Sequence, residues 1–169
     1  MDEPTPTTTD QPQPAAQPAA APAAPAPAPA PEPRPAPAPS SGGKKRLLLV
    51  EDDMGLASVY QTRLEVEGFE VKHVPNGEDA LSTAIEFKPD LILLDVMMPK
   101  ISGFDVLDIL RNTPETRNIR VVMLTALSQP KDQERAKQLG ADDYLVKSQV
   151  VIADVVQRIK YHLGMTDEQ

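Results

Sequence analysis

Three acidic side chains stand directly after two short apolar segments of this chain. Glu51 and Asp52 follow the run 47–50, and Asp95 follows the run 91–94. If these runs are neighbouring parallel strands, their carboxyl ends meet at one edge of a sheet, where α/β sheets bind their ligands. Carboxylates gathered there repel one another unless a cation joins them. Their oxygens suit a hard divalent ion, and Mg²⁺ at such sites commonly works with phosphate groups. The residues therefore predict a magnesium site with phosphate chemistry.

The segments around these acids alternate between apolar runs and amphipathic stretches, the pattern of βα units around a parallel sheet. The predicted strands span 46–51, 69–74, 91–95, 120–125 and 142–146, and the predicted helices span 55–67, 77–87, 103–111, 131–138 and 150–162. Repeated βα units with right-handed crossovers make a doubly wound sheet with helices on both faces. We therefore expect an α/β domain with a five-stranded parallel sheet, a flavodoxin-like (βα)5 fold of three layers.

Local signals support the predicted helix ends. Asn76 precedes a helix whose first turn is acidic, so its side chain can cap that helix. Gly68 and Gly140 follow helices, where a left-handed residue is favoured. In the last helix, Val151 and Val155 belong to a predicted buried stripe.

The N-terminal region differs in composition from the rest of the chain. Fourteen of the 19 prolines precede Lys44, most of them beside alanine. Such a tract cannot bury enough apolar surface to offset the entropy of ordering. We therefore expect a disordered Pro/Ala-rich tail or linker at 1–43, one domain at 44–164 and a short C-terminal tail at 165–169. The N-terminal tail could act as a spacer, dock on a proline-binding partner or promote solubility.

Charge and composition exclude several classes of function. The net charge of −8 disfavours a broad basic surface, so we expect no nucleic-acid binding. The absence of cysteine excludes disulfides and thiolate chemistry. The acidic start of the chain is unlike a signal peptide, and no apolar stretch approaches membrane-spanning length. We therefore expect a cytoplasmic protein without membrane insertion. Neither His73 nor His162 has a partner spacing typical of a metal site.

Further motifs extend the acidic set along the chain. They are Leu49-Val50-Glu51-Asp52-Asp53, Leu93-Leu94-Asp95-Val96-Met97-Met98-Pro99, Leu124-Thr125-Ala126 and Gly140-Ala141-Asp142-Asp143-Tyr144-Leu145-Val146-Lys147. Asp95 lies 43 residues after Asp52, 30 before Thr125 and 52 before Lys147. Together these motifs resemble the receiver domain of bacterial two-component response regulators. The resemblance covers the domain and none of the Pro/Ala tract.

This resemblance implies a magnesium cofactor held by four residues. Asp52 and Asp95 would bind the ion directly, Glu51 would bind it through a water molecule, and Met97 would contribute its backbone carbonyl. Asp53, in contrast, is expected to cap the first helix.

The resemblance also implies the residues of a phosphoryl-transfer site. Asp95 would accept the phosphoryl group as a 4-aspartylphosphate, and Thr125 and Lys147 would bind its oxygens. Thr125 and Tyr144 would form the switch, because a phosphoryl group that draws Thr125 inward leaves space for the tyrosine ring.

The implied function is a phosphorylation-controlled signalling switch in a two-component phosphorelay. The domain would take the phosphoryl group from the phosphohistidine of a sensor histidine kinase or a histidine phosphotransfer protein. It would act on an unknown downstream protein, as a phosphoacceptor rather than as a conventional enzyme. Because only Met165 to Gln169 follow the last helix, we expect no output domain.

Two other functions compete with the signalling switch. A phosphatase of the haloacid dehalogenase type needs a second acid two residues after its nucleophile, and Met97 occupies that place. A phosphorylation-independent adaptor that works through the Pro/Ala tract remains open, and it predicts that Asp95→Asn leaves partner binding unchanged.

One departure from the family concerns Ser148, which follows Lys147 where the family usually has proline, so we expect a trans peptide there.

Overall fold

The computed structural model describes residues 43–165, so most of the predicted N-terminal tail and the segment 166–169 lie outside the described residues. The chain forms β1 (Arg46–Val50), α1 (Met54–Val66), β2 (Glu70–Val74), α2 (Gly77–Phe87), β3 (Leu91–Leu94), α3 (Gly103–Asn112), β4 (Arg120–Thr125), α4 (Pro130–Gln138), β5 (Asp143–Val146) and α5 (Ile152–His162). The strands and helices that the sequence predicted are therefore all present within this region.

The five strands form one parallel sheet in the order β2-β1-β3-β4-β5. Because the strand order reverses between β1 and β3, these two strands lie side by side although a strand and two helices separate them along the chain. Ligand sites of doubly wound sheets form at this reversal. The predicted flavodoxin-like α/β fold is confirmed.

Two apolar cores cover the two faces of the sheet. Successive side chains of a strand point to opposite faces, so Leu48 and Val50 enter one core while Leu47 and Leu49 enter the other. Helices α2 and α3 contribute to the first core, and α1 and α5 contribute to the second. The central strands are therefore apolar between their first residues, Arg46 in β1 and Arg120 in β4, and their carboxyl ends, and the acidic residues of interest follow β1 and β3.

The structure confirms the cap and the left-handed glycines that the sequence predicted at the helix ends. The Asn76 side chain accepts a hydrogen bond from the Asp79 N–H at 2.8 Å, as predicted. Gly68 and Gly140 have φ angles of 96° and 93°, the left-handed conformation that glycine adopts without a steric penalty. No helix within residues 43–165 is long and apolar enough to cross a membrane.

The prediction for the start of the last helix was wrong. Helix α5 begins at Ile152, and Val151 stands before it in an extended conformation with 64% of its surface exposed. The Val151 N–H donates to the Asp154 carboxylate at 3.1 Å, and this bond caps a helix that starts two residues after the predicted position 150.

The partly buried side chain of Arg111 joins α3 to the amino ends of β4 and β5. The Arg111 guanidinium donates to the carbonyls of Gly140 at 2.9 Å and Ile119 at 2.7 Å, and to the Asp142 carboxylate at 3.0 Å. The same Asp142 oxygen accepts the Val121 N–H at 2.9 Å. Asp142 therefore ties α3 to two strands.

Replacing Arg111 with alanine should therefore lower the free energy of unfolding by about 3 kcal/mol, because it removes the hydrogen bonds that the guanidinium gives to the Asp142 carboxylate and to the carbonyls of Gly140 and Ile119. Arg117→Ala, at an exposed position nearby, should change it by less than about 0.5 kcal/mol. Urea unfolding of both variants measures the difference. Equal effects would contradict the role given to Arg111.

Candidate functional site

The three acids predicted to bind a metal lie together at the carboxyl edge of the sheet. The register pairs Val50 with Leu94, and the Asp95 N–H donates to the Val50 carbonyl at 3.0 Å. This pairing places the residues after β1 beside the residue after β3. One carboxylate oxygen each from Glu51, Asp52 and Asp95 lies within 4.8 Å of the others.

The cluster is buried on one side and open on the other. Glu51 and Asp95 are 2% and 4% exposed, whereas Asp52 is exposed. The available ligands are all carboxylate oxygens, which fits a hard cation such as Mg²⁺ rather than a softer metal. Solvent can reach such an ion on the side of Asp52.

Lys147 joins the buried acids from the end of β5. Its ammonium group lies 2.5 Å from Glu51 Oε2 and 2.8 Å from Asp95 Oδ2. Its backbone N–H donates to the Thr125 carbonyl at 2.8 Å, which fixes the start of its loop against β4. One ammonium group thus bridges carboxylates from two other strands.

These contacts perturb the titration of the buried groups. Burial raises the pKa of Glu51, an effect that the Lys147 hydrogen bond opposes and the negative charge of Asp95 reinforces. Burial alone would lower the pKa of Lys147, but the hydrogen bonds and charges of Asp95 and Glu51 outweigh it and raise that pKa. The ammonium is therefore held in its charged form, while burial makes the ionised form of Glu51 less favourable than it is in water.

Asp95 is also oriented from the loop that follows it. Its Oδ1 accepts the Met97 N–H at 3.1 Å, so both carboxylate oxygens have donors. Met97 itself is exposed, and its carbonyl remains a predicted ligand. Helix α3 begins close behind this loop, because the Gly103 N–H donates to the Val96 carbonyl at 2.9 Å.

Gly103 is a residue that the sequence reasoning missed. A Cβ atom at this position would lie 2.1 Å from the Asp95 carbonyl oxygen and 2.7 Å from the Val96 Cα. Both atoms belong to the backbone and cannot move aside cheaply. The available signal was a glycine directly after Ser102, which caps α3. The glycine is needed because the backbone of Asp95 and Val96 lies close to it, and this contact cannot be read from the order of residues.

The two predicted switch residues are joined through one backbone segment. The Thr125 hydroxyl, which is fully buried, accepts the Leu127 N–H at 3.3 Å. The Tyr144 hydroxyl donates to the Leu127 carbonyl at 2.8 Å. Thr125 and Tyr144 therefore contact the same residue from opposite sides of its backbone.

Two further expectations concern the loops around the cluster. Asp53 Oδ1 accepts the Leu56 N–H at 2.9 Å, which confirms that Asp53 caps α1. None of the peptide bonds within residues 43–165 is cis, so the bond between Lys147 and Ser148 is trans, as expected. The turn there is closed by a hydrogen bond from the Gln149 N–H to the Val146 carbonyl at 2.8 Å.

Comparison with known proteins agrees with this geometry. The family model of the response regulator receiver domain matches residues 47–160. The chain belongs to this family. It is 37% identical over 122 residues to the DNA-binding dual master transcriptional regulator RpaA of Synechocystis. The aligned residues make up 72% of this chain and 50% of RpaA. It is 34% identical over 120 residues to the polar-differentiation response regulator DivK of Brucella anthropi, covering 71% of this chain and 97% of DivK.

Solved structures give the same assignment. A signal receiver domain of a histidine kinase from Syntrophus aciditrophicus has a TM-score of 0.66 at 33% identity, covering 74% of this chain and 94% of that one. A CheY-like receiver domain protein from Methanospirillum hungatei has a TM-score of 0.67 at 25% identity, covering 72% and 95%. The chain spans about half the length of RpaA. The expected absence of nucleic-acid binding stays a prediction.

Gly103→Ala should displace Asp95 within the acidic cluster, because the added methyl group would meet the backbone of Asp95. We expect a loss of about 1–3 kcal/mol in the free energy of unfolding and shifted amide resonances at Asp95 and Val96. Gly55→Ala is the matched control within a helix, since its Cβ would meet only the Asp53 side chain, at 3.3 Å. A Gly103→Ala protein as stable as wild type would contradict the close approach.

Tyr144 should be visible in the alkaline stability of the protein. Burial, followed by the negative charges of Asp132 and Asp95, raises the pKa of Tyr144 from 10.0 to about 12. Because the folded state then holds this proton more tightly than the unfolded state, its contribution is present below pH 10 and is lost as the pH rises towards 12.

Chemical denaturation at increasing alkaline pH tests this expectation. Tyr144→Phe should show a shallower loss of stability than wild type above pH 10, whereas the exposed Tyr161→Phe should keep the wild-type slope. Identical slopes for wild type and Tyr144→Phe would mean that the buried phenol does not contribute.

Proposed function

We propose that this receiver domain accepts a phosphoryl group on Asp95 in a Mg²⁺-dependent reaction and thereby changes its affinity for a partner protein. The observation that supports this most directly is the position of the Asp95 carboxylate, which lies within one cluster with two acids and 2.8 Å from the Lys147 ammonium. Residues 44–164 would form the working unit.

Mg²⁺ would be held by Asp52, Asp95 and the Met97 carbonyl, with Glu51 acting through a water molecule. When bound, the ion neutralises charge on the phosphoryl oxygens. The donor set supports this assignment because three carboxylates face a single ammonium group. If all are ionised, three negative charges and one positive charge leave two negative charges, a deficit that one divalent ion removes.

The chain's own residues would then carry out the transfer. An Asp95 oxygen forms a bond to phosphorus as the bond from phosphorus to the donor's imidazole nitrogen breaks, and that nitrogen keeps the electron pair. Lys147 would move from its contact with Asp95 to a phosphoryl oxygen, and the Thr125 hydroxyl would donate to another. The acyl phosphate stays on the protein, which makes the domain a phosphoacceptor.

Thr125 would pass this change to the partner-binding face. To donate to a phosphoryl oxygen on Asp95, its hydroxyl would move towards that oxygen and carry with it the Leu127 N–H from which it now accepts. The Leu127 carbonyl, which accepts from Tyr144, belongs to the same residue. A shift of this residue alters the place of the Tyr144 side chain, and the face formed by α4 and β5 would change with it.

The donor is proposed to be a phosphohistidine on another protein, and exposed apolar side chains around the site support a protein donor. On α1, Met54 and Val59 are 65% and 58% exposed, and Val66 lies farther along the same helix. Met97 and Val151 are exposed on two of the loops at the site. Exposed apolar side chains on α1 and on loops next to the acidic cluster suit docking of a protein surface.

Phosphorylation of the full chain tests the first proposal. With Mg²⁺ and a small phosphodonor such as acetyl phosphate, the intact mass should increase by one phosphoryl group, and Asp95→Asn should show no increase. Asp53→Asn is the matched control, because asparagine can still cap α1, and it should be phosphorylated like wild type. A mass gain that persists in Asp95→Asn, or that survives removal of Mg²⁺ by a chelator, would contradict the proposal.

A second experiment separates docking from chemistry. Met54→Glu combined with Val59→Glu should slow phosphorylation by a phosphorylated histidine-containing protein at least tenfold, since it places charges in an apolar contact. The rate with acetyl phosphate should remain within about twofold, because neither side chain belongs to the acidic cluster. If both rates fell together, α1 would not be a docking surface.

A further inference from the structure

His73 contacts the acidic site from the edge strand β2. Its Nε2 lies 2.8 Å from the backbone carbonyl oxygen of Glu51. A carbonyl can only accept, so this nitrogen must carry the hydrogen. We propose that His73 is a positioning residue for the Mg²⁺ site, an inference that rests on the proposed function and extends it to a residue outside the acidic cluster.

The backbone needs this donor because the sheet ends here. The last hydrogen bond between β1 and β2 runs from the Glu51 N–H to the Val74 carbonyl at 3.2 Å. In a parallel ladder the next donor to the Glu51 carbonyl would be the N–H of Asn76. The chain leaves the sheet at Pro75, and Asn76 instead serves as the cap of α2. The His73 ring supplies the hydrogen bond that the ladder loses.

This hydrogen bond acts on the peptide that joins two acids of the cluster. The Glu51 carbonyl belongs to the peptide plane between Glu51 and Asp52, so holding the carbonyl sets the direction in which both side chains leave the backbone. Solvent is a poor substitute, because Glu51 is buried. Without the ring donor, the peptide either keeps an unsatisfied carbonyl or rotates towards water. Rotation would move the carboxylates apart.

The residue pattern explains why the role is easy to miss. His73 lies on a strand, pairs in register with Leu49, and is half-buried beside the second apolar core. It has no spacing typical of a metal ligand, and it contacts the backbone of the site rather than any carboxylate. The role is therefore indirect, comparable to that of side chains that orient metal ligands without binding the metal.

Two substitutions separate the hydrogen bond from the bulk of the ring. His73→Phe keeps a planar ring without a donor, and His73→Gln keeps an N–H group at about the same distance along the side chain. Lys72→Gln, an exposed neighbour on the same strand, controls for changes to β2. Mg²⁺ alone is titrated into each full-length protein, and the amide resonances of residues 51–53 report binding.

We expect His73→Phe to bind Mg²⁺ about tenfold more weakly than wild type, at the lower end of the loss typical when a supporting contact to a metal site is removed. His73→Gln should recover most of this loss, and Lys72→Gln should bind like wild type. In phosphorylation by acetyl phosphate, the Mg²⁺ concentration for half-maximal rate should rise by the same factor in His73→Phe. The rate at saturating Mg²⁺ should change by less than about twofold, since the acceptor and Lys147 are untouched.

The outcomes distinguish the two levels of the proposal. Wild-type protein that does not bind Mg²⁺ would overturn both the proposed function and the role of His73. Wild-type binding with an unchanged His73→Phe would overturn only the role of His73, and so would equal losses in the Phe and Gln variants. Should His73→Phe fail to fold, the ring nitrogens of wild type decide: an Nε2 without hydrogen in the nitrogen spectrum overturns the inference, and a protonated, hydrogen-bonded Nε2 supports it.

Discussion

A single ammonium group offsets the repulsion at the carboxyl edge of the sheet. Lys147 reaches from the end of β5 to acids that follow β1 and β3, and both of its carboxylate partners are almost fully buried. An exposed ion pair of this kind would contribute little, but a buried carboxylate deprived of its partner is costly. The strand order brings β1 beside β3, and the length of the lysine side chain spans the remaining strand. Without this contact or a cation in its place, the two buried acids would have no opposite charge beside them.

The contact with Lys147 leaves negative charge at the site that a bound cation could neutralise. Burial, with a smaller contribution from the charge of Asp95, raises the pKa of Glu51 despite the lysine, so the ionised form of this buried acid is costly. An apolar residue in place of Glu51 would remove this cost together with a predicted cation ligand. The arrangement thus trades stability for affinity towards a positive ion. Functional sites commonly depart from the most stable arrangement in this manner.

Much of the fold and the acidic cluster could be predicted because they follow from periodicity. Continuous apolar runs mark strands covered on both faces, and the first polar residue after each run must lie at the edge of the sheet. The contacts of Arg111 with the Gly140 carbonyl and of His73 with the Glu51 carbonyl could not be predicted, since each depends on where the chain brings a distant backbone carbonyl. Val151 shows the converse limit. Its apolar side chain continued the helical stripe, but a backbone hydrogen bond to a carboxylate set the helix boundary.

Helices α3 and α4 bury different numbers of side chains, and this difference affects which of them can move when the site changes. Helix α4 is strongly polar, and Ala136 is its one fully buried residue. Its other attachments include the Arg135 guanidinium, which lies 4.5 Å from the centre of the Phe104 ring. In contrast, α3 buries five residues, including Gly103 directly behind Asp95. A displacement that starts at Thr125 therefore meets packed backbone on the side of α3 and a thinly attached helix on the side of α4. Cores resist small displacements and weakly packed elements yield to them, so the direction of the proposed switch follows from the distribution of buried side chains.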